Sequence, residues 1–283
     1  MSELTCYVNG VYVPADQAAL PLNDLGIVRG YGVFDLLRTY GHTPFRLRDH
    51  LLRLQRSATA IGIALPWSLD DLEQIVLDTY AHNRVADASI RIVVTGGPSS
   101  NLMTPQNNPS LVVMVQPIAP NPAHYYTHGC KATTTRVERI MPTVKSLNYI
   151  GAIMAVSEAS KSGAVEAIYR DAHDHLTEGT RANFFVFQGN HLITPGEGIL
   201  PGITRQVVLE VAPPEFDIIE APIAYADLAT VDEAFLTSTT KEVLPVVQVD
   251  DIRIGAGMVG PRTQRVMQLF AEVVRAVSQP VTA

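Results

Sequence analysis

The sequence predicts an α+β fold of two domains, and three observations carry that prediction. Hairpin signals are mixed with strong helical periodicity, and no regular strand–helix–strand series appears. The chain has 283 residues, where about 150 per domain is usual. A proline-rich stretch, Pro117-Ile-Ala-Pro120-Asn-Pro122, resists both helix and central strand near the middle of the chain. Residues 1–118 are therefore expected as a small N-terminal domain, 117–122 as the linker and 123–283 as a larger domain.

The elements follow in order. The opening LTCYVNGVYV reads as a hairpin with Asn9-Gly10 at its turn. Val33 to Tyr40 continues strand-like. Arg46 to Ile63 is the first strong helix, with apolar Leu47, Leu51, Leu54, Ala58 and Ile61 at three- and four-residue steps. A second helix is expected over Leu69 to His82, then short β-rich runs at Ser89 to Thr95 and Ser110 to Gln116. Beyond the prolines, Lys131 to Ile140 is β-rich and Ile150 to Lys161 helical. Residues 165–170 and 176–194 read as strands with a turn at Gly189-Asn190. A helix from Ile203 to Val211, a strand near Glu233 to Thr237 and a helix from Arg262 to Val277 complete the chain.

Composition excludes several classes of function. Hydrophobic residues make up 47% and charged residues 17%, enough apolar material for a sizeable core. The net charge is −7 and no basic block stands out, which argues against nucleic-acid binding through counterion release. Cys6 and Cys130 fit neither a disulfide framework nor a zinc spacing. There is no signal-like N-terminus and no apolar run of about 18 residues. A cytoplasmic protein without membrane or metal partners is expected. Gly255-Ala-Gly257-Met-Val-Gly260 matches a dinucleotide fingerprint, but too little chain follows it, so it reads as a turn before the last helix.

The four lysines are more informative. Lys161 complements a helix C-terminus, Lys131 lies in a β-rich run, and Lys241 beside a threonine cluster is open to either a structural or a functional role. Lys145 lies between a strand and a helix, flanked by Val144 and Leu147. Partly apolar surroundings lower a lysine's proton affinity, as imine formation or general-base work requires. Glu178, between β-rich runs, could be an edge residue or face a cationic ring nitrogen. Gly202-Ile203-Thr204 opens a helix as a phosphate cradle would, or as an ordinary capped helix would. Thr239 and Thr240 offer further donors after a strand. Arg53, among leucines, could grip a phosphate bidentately or snorkel to solvent. A lysine, a lone acid, two hydroxyl-rich anion sites and an arginine together match the needs of pyridoxal 5′-phosphate.

The order of motifs resembles the class IV (fold type IV) pyridoxal-phosphate aminotransferases over nearly the whole chain. The motifs are Arg29-Gly-Tyr31-Gly-Val-Phe-Asp-Leu-Leu-Arg38, Arg48-Asp-His-Leu-Leu-Arg53, Lys145-Ser-Leu-Asn148, Glu178-Gly-Thr-Arg-Ala-Asn183, Gly202-Ile-Thr-Arg205 and Ser238-Thr-Thr-Lys-Glu242. The resemblance implies a small N-terminal α/β domain, a larger α+β domain and a cofactor between them, in a homodimer with shared active sites. It implies Lys145 as the imine-forming lysine and proton shuttle, with Glu178 at the pyridine nitrogen. It assigns Arg53, Ile203, Thr204, Thr239 and Thr240 to the phosphate and Tyr149 to the ring hydroxyl. Amino acids and 2-oxo acids would be the substrates, exchanged by a ping-pong mechanism.

Within the family, Lys-Ser-Leu-Asn resembles the D-amino-acid transaminase and lyase spacing. The stretch Val94 to Met103 lacks the Arg-x-His pair by which well-known D-amino-acid transaminases hold the substrate carboxylate. Arg29 (from the neighbouring subunit) and Arg91 are expected to replace it beside Tyr31, although alternation could equally leave Arg91 on a solvent face. The expected activity is transamination of a D-amino acid such as D-alanine or D-glutamate. An L-branched-chain aminotransferase is the alternative, and an aminodeoxychorismate lyase the third reading.

Overall fold

The computed structural model describes residues 4–83 and 85–278. Strand-forming alternation builds the first sheet from β1 (Thr5–Val8), β2 (Val11–Pro14), β3 (Gly32–Tyr40), β4 (Thr43–Pro44), β5 (Ala88–Thr95) and β6 (Leu111–Pro117), all pairings antiparallel, in the order β2-β1-β6-β5-β3-β4. Asn9 and Gly10 both have positive φ and close the β1–β2 turn, the geometry that a two-residue hairpin loop demands. A short helix that the sequence pattern does not announce, α1 (Leu25–Arg29), begins at Asp24, whose carboxylate accepts from the Gly26 amide at 2.7 Å. Arg29 therefore ends a helix rather than lying in an open loop.

Helices α2 (Leu47–Ala60) and α3 (Leu69–Asn83) cover one face of this sheet. Leu47, Leu51, Leu54 and Ala58 of α2 and Leu72 and Val76 of α3 are buried with Val33, Leu37, Ile90, Ile92, Val94, Leu111, Val113 and Val115. Ser68 and Asp71 cap α3 reciprocally.

The chain divides into two compact units. The first holds the described residues through Ala119, the segment Val144–Asn148 and the end of the last helix. The proline-rich boundary would assign 144–148 to the second unit. Instead Val144 is buried in the first core, and Ser146 bridges antiparallel to Val33 of β3. Backbone pairing takes this segment out of sequence order.

The second unit contains α4 (His124–Thr127), β7 (Cys130–Thr135), α5 (Ile150–Lys161), β8 (Glu166–Arg170), β9 (His175–Gly179), β10 (Ala182–Gln188), β11 (His191–Thr194) and α6 (Ile203–Val211). It continues with β12 (Asp217–Glu220), β13 (Ile223–Ala224), β14 (Glu233–Ser238), β15 (Glu242–Val249), β16 (Ile252–Arg253) and most of α7 (Pro261–Ser278). Strand order is β12-β11-β10-β14-β15-β7-β8-β9-β13, and β9 also pairs with β10. The ring β10-β14-β15-β7-β8-β9 is thereby closed, which removes its edges. Phe184, Val186 and Leu236 fill one side of these strands, with Ala132, Ile168 and Leu244 in the same core.

One expectation is corrected here, and one strand is found that the sequence pattern does not announce. The β-rich run from Lys131 ends at Thr135, and 136–149 is irregular, with Met141 at positive φ beside Pro142. Strand β15 is hidden in the sequence because Pro245 interrupts its pattern. Pro245 keeps its place opposite Phe235 of β14, the pairing with β7 starts only at Val246 and shifts register between Val246 and Gln248, and the Cys130 thiol donates to the Pro245 carbonyl.

Candidate active site

In the first unit, the candidate lysine is fixed by its backbone. The Lys145 amide donates to Ser57 Oγ of α2 at 3.2 Å, and the Lys145 carbonyl accepts from the Phe34 amide of β3 at 2.9 Å. Its Nζ stands 4.7 Å from the centre of the Phe34 ring. The Arg91 guanidinium approaches the same ring at 4.9 Å. Arg91 is exposed, while Ile90 and Ile92 are buried on the opposite face of β5, as strand alternation requires. The two cationic heads are thus no farther apart than the sum of those distances.

Arg53 does not snorkel. It is buried, and its Nε and Nη2 donate to the two oxygens of Asp35, each at 2.8 Å. His50 Nδ1 lies 2.7 Å from the same carboxylate. Burial pushes the Asp35 carboxyl up, but the Arg53 guanidinium and His50 together hold it well below the usual carboxylate range. Burial pushes His50 below its ordinary value of 6.5 despite Asp35. Arg29 is exposed and donates from Nε to the Leu102 carbonyl at 3.0 Å. The Tyr31 hydroxyl donates to the Ile61 carbonyl at 2.5 Å.

In the second unit, Glu178 is a buried acid at the end of β9. One oxygen takes the Arg139 guanidinium, and the other accepts from the Leu200 amide at 3.1 Å and from Asn183 Nδ2 at 3.4 Å. Asn183 also donates to the Leu200 carbonyl at 2.8 Å, binding strand β10 to the loop before α6. Tyr149 immediately precedes α5. Tyr169 lies close to both Tyr149 and Glu178. Burial pushes its hydroxyl up to about 12, with Arg139 opposing and the neighbouring acid and phenol reinforcing. Ile203 and Thr204 are buried in the first turn of α6, which has no side-chain cap. Thr239 and Thr240 sit in the tight connection between β14 and β15.

Pyridoxal 5′-phosphate needs an amine, a carboxylate for its ring nitrogen and an anion cradle. The chain supplies each. At the mouth of α6, a Cβ on Gly202 would stand 2.0 Å from Asn183 Oδ1. Only a residue without a side chain lets the backbone run that close, leaving first-turn amides uncapped for an anion. The residues present fit the cofactor.

Comparison with known proteins agrees. The model of the family "Amino-transferase class IV" matches residues 32–249. The chain belongs to the class IV aminotransferases, enzymes that use pyridoxal phosphate and act on amino acids and 2-oxo acids. A Methanocaldococcus jannaschii protein with the provisional name branched-chain-amino-acid aminotransferase is 34% identical, covering 94% of this chain and 95% of its own. A D-alanine aminotransferase of Listeria monocytogenes is 30% identical, covering 98% of each chain. Among solved structures, the branched-chain aminotransferase of the thermophilic archaeon Thermoproteus uzoniensis with norvaline matches with a TM-score of 0.89 at 29% identity, over 97% of this chain and 96% of that one.

Sequence pattern alone does not single out Arg139, Ser57, Asp35 and His50 as site residues. Asp35 and His50 lie inside the quoted motifs, and a charged pair among apolar strand and helix residues is a usable signal. Arg139 and Ser57 carry none, since their partners are distant in sequence.

Proposed function

We propose that this aminotransferase takes its amino group from a D-amino acid of the D-alanine or D-glutamate type and passes it to a 2-oxo acid. The observation that carries the amino-acid part of this reading, for either enantiomer, is the shared approach of Lys145 and Arg91 to Phe34. An α-amino acid presents its α-proton and its carboxylate on the same carbon. A base and a carboxylate-binding guanidinium must therefore lie within a few ångströms of one small molecule. The Lys-Ser-Leu-Asn spacing and the D-alanine aminotransferase relative support the D-configuration.

The bound cofactor supplies an electron sink for the charge left when the α-proton departs. Lys145 Nζ is the amine that would hold the cofactor and, when free, would move the proton at substrate Cα. Glu178 would accept a hydrogen bond from the protonated ring nitrogen, and the Arg139 guanidinium pairs with that carboxylate. Arg53, Ile203, Thr204, Thr239 and Thr240 hold the phosphate, and Tyr149 donates to the ring hydroxyl. Arg91 holds the substrate carboxylate together with Arg29 of a second subunit in a cytoplasmic homodimer, whereas the one Tyr31 hydroxyl proton is committed to the Ile61 carbonyl and does not serve that carboxylate as the sequence reading expects.

A donor panel of both enantiomers of alanine, glutamate and leucine, followed spectrally as half-reactions, tests the proposal. D-alanine and D-glutamate should convert the cofactor. Arg91→Ala should lower kcat/KM for D-alanine by about tenfold or more. Conversion by L-leucine alone would instead establish the branched-chain reading, which the 34% identical relative favours.

A further inference from the structure

We propose that Asp35 is a positioning residue for the cofactor phosphate, acting through Arg53. This rests on Arg53 as a phosphate ligand and is independent of the amino donor. A guanidinium is a rigid planar fork of five N–H donors. Asp35 takes its Nε and Nη2 edge with two 2.8 Å bonds, so the plane and the direction of the remaining edge are set. Asp35 is itself immobilised, because its Oδ1 accepts from the Leu36 amide at 2.7 Å and lies 2.7 Å from His50 Nδ1. All of this stands on β3 and α2, and Asp35 is wholly buried.

Stability alone does not explain the arrangement. A buried ion pair is seldom better than apolar side chains of the same volume. Its distinctive property is direction. The same helix carries Ser57, one turn beyond Arg53, where it binds the Lys145 amide. The phosphate grip and the lysine are therefore anchored to one rigid element. That suits a small, stiff ligand whose phosphate and aldehyde must both be met at once.

The test uses enzyme resolved from its cofactor and titrated with pyridoxal 5′-phosphate and, separately, with pyridoxal, each followed by absorbance. Asp35→Asn should raise Kd for the phosphorylated form by about tenfold and leave pyridoxal unchanged. The Asp35→Asn effect should vanish in an Arg53→Lys background, since a group acting through Arg53 has nothing left to position. Equal weakening of both ligands, no weakening, or full additivity with Arg53→Lys would overturn the proposal. If Asp35→Asn does not fold, His50→Asn, which keeps a donor near the Nδ1 position, decides the matter. It should show a smaller loss confined to the phosphorylated ligand, and an unchanged ratio of the two Kd values would overturn the proposal. Failure of Arg53→Lys to discriminate the ligands would remove Arg53 from the phosphate, whereas an L-specific donor panel would leave all these results standing.

Discussion

The Phe34 amide donates to the Lys145 carbonyl across 2.9 Å, so a β-strand places the lysine that its own irregular segment could not. The second tether is the Lys145 amide on Ser57 Oγ, itself buried on α2. Together they fix the Cα, leaving the long side chain as the moving part.

If Lys145 is the base as proposed, Ser57→Ala should reduce kcat several-fold while KM for the amino donor changes little, because the lysine loses its aim and substrate contacts remain. Loss of one hydrogen bond should cost about 1 kcal/mol of stability. Steady-state kinetics beside a thermal melt separate the two effects. An unchanged kcat would show that the strand contact suffices.

His50 predicts an acid limb in the stability curve. It is buried against Asp35, Arg53 and the nearby Lys145 charge, and its folded-state value lies below 6.5. In the unfolded chain it takes a proton near pH 6.5, so the folded state binds fewer protons just below that pH. Stability is then complete above pH 6.5 and declines as the pH falls toward the folded value, by up to about 1.4 kcal/mol per pH unit. His50→Asn should flatten that slope between pH 6.5 and 5. Asp35, held low, should contribute above the unfolded carboxylate range and lose its share only in stronger acid. Urea melts at stepped pH check both signs.

Lys241, whose role the sequence leaves open, is tied to a second buried charge. Its ammonium pairs with Glu166, which is wholly buried, and the Thr180 hydroxyl donates to the other Glu166 oxygen. Lys241→Met leaves that carboxylate with only the half-exposed Arg181 guanidinium, 3.7 Å away, to offset its charge. The expected cost is up to about 3 kcal/mol, a fall in melting temperature on the order of 10 °C for a chain this size. Adding Glu166→Gln should recover much of the loss, since an amide is far cheaper to bury than an unpaired charge. If the single variant melts normally, the pair contributes nothing.

What the sequence makes legible is whatever depends on local pattern. Helices α5 and α6 fall at the expected residues, Ile150–Lys161 and Ile203–Val211, because their apolar periodicity and flanking glycines are local signals. Asn9-Gly10 turns for the same reason. Pairings between distant segments are not legible. Ser57 and Lys145 are 88 residues apart, and Arg139 and Glu178 are 39 apart. No spacing rule joins them. Strand β15 escapes because Pro245 breaks its alternation, and α1 because five residues are too few to show a period. Asp35 marks the middle ground. Its charge among Phe34, Leu36 and Leu37 is visible, but the partners that make it useful, His50 and Arg53, require the α2–β3 packing.

Gly202 offers a test of the anion cradle that needs no charge change. Its φ of −71° suits any residue, so Gly202→Ala introduces no backbone strain, and the whole effect comes from the methyl group. That carbon would meet Asn183 Oδ1 at 2.0 Å, far inside contact distance. Asn183 cannot yield freely, since its amide group bonds to the Leu200 carbonyl and to Glu178. The mouth of α6 must therefore shift, carrying Ile203 and Thr204 with it, or Asn183 must release Glu178. Either outcome should weaken pyridoxal 5′-phosphate binding by about tenfold or more and lower stability by about 1–3 kcal/mol. Gly202→Ala combined with Asn183→Ala should recover the stability lost to crowding, though not the Glu178 contact. Cofactor titration and thermal melts of both variants provide the check. Wild-type affinity in Gly202→Ala would mean that the phosphate is held elsewhere.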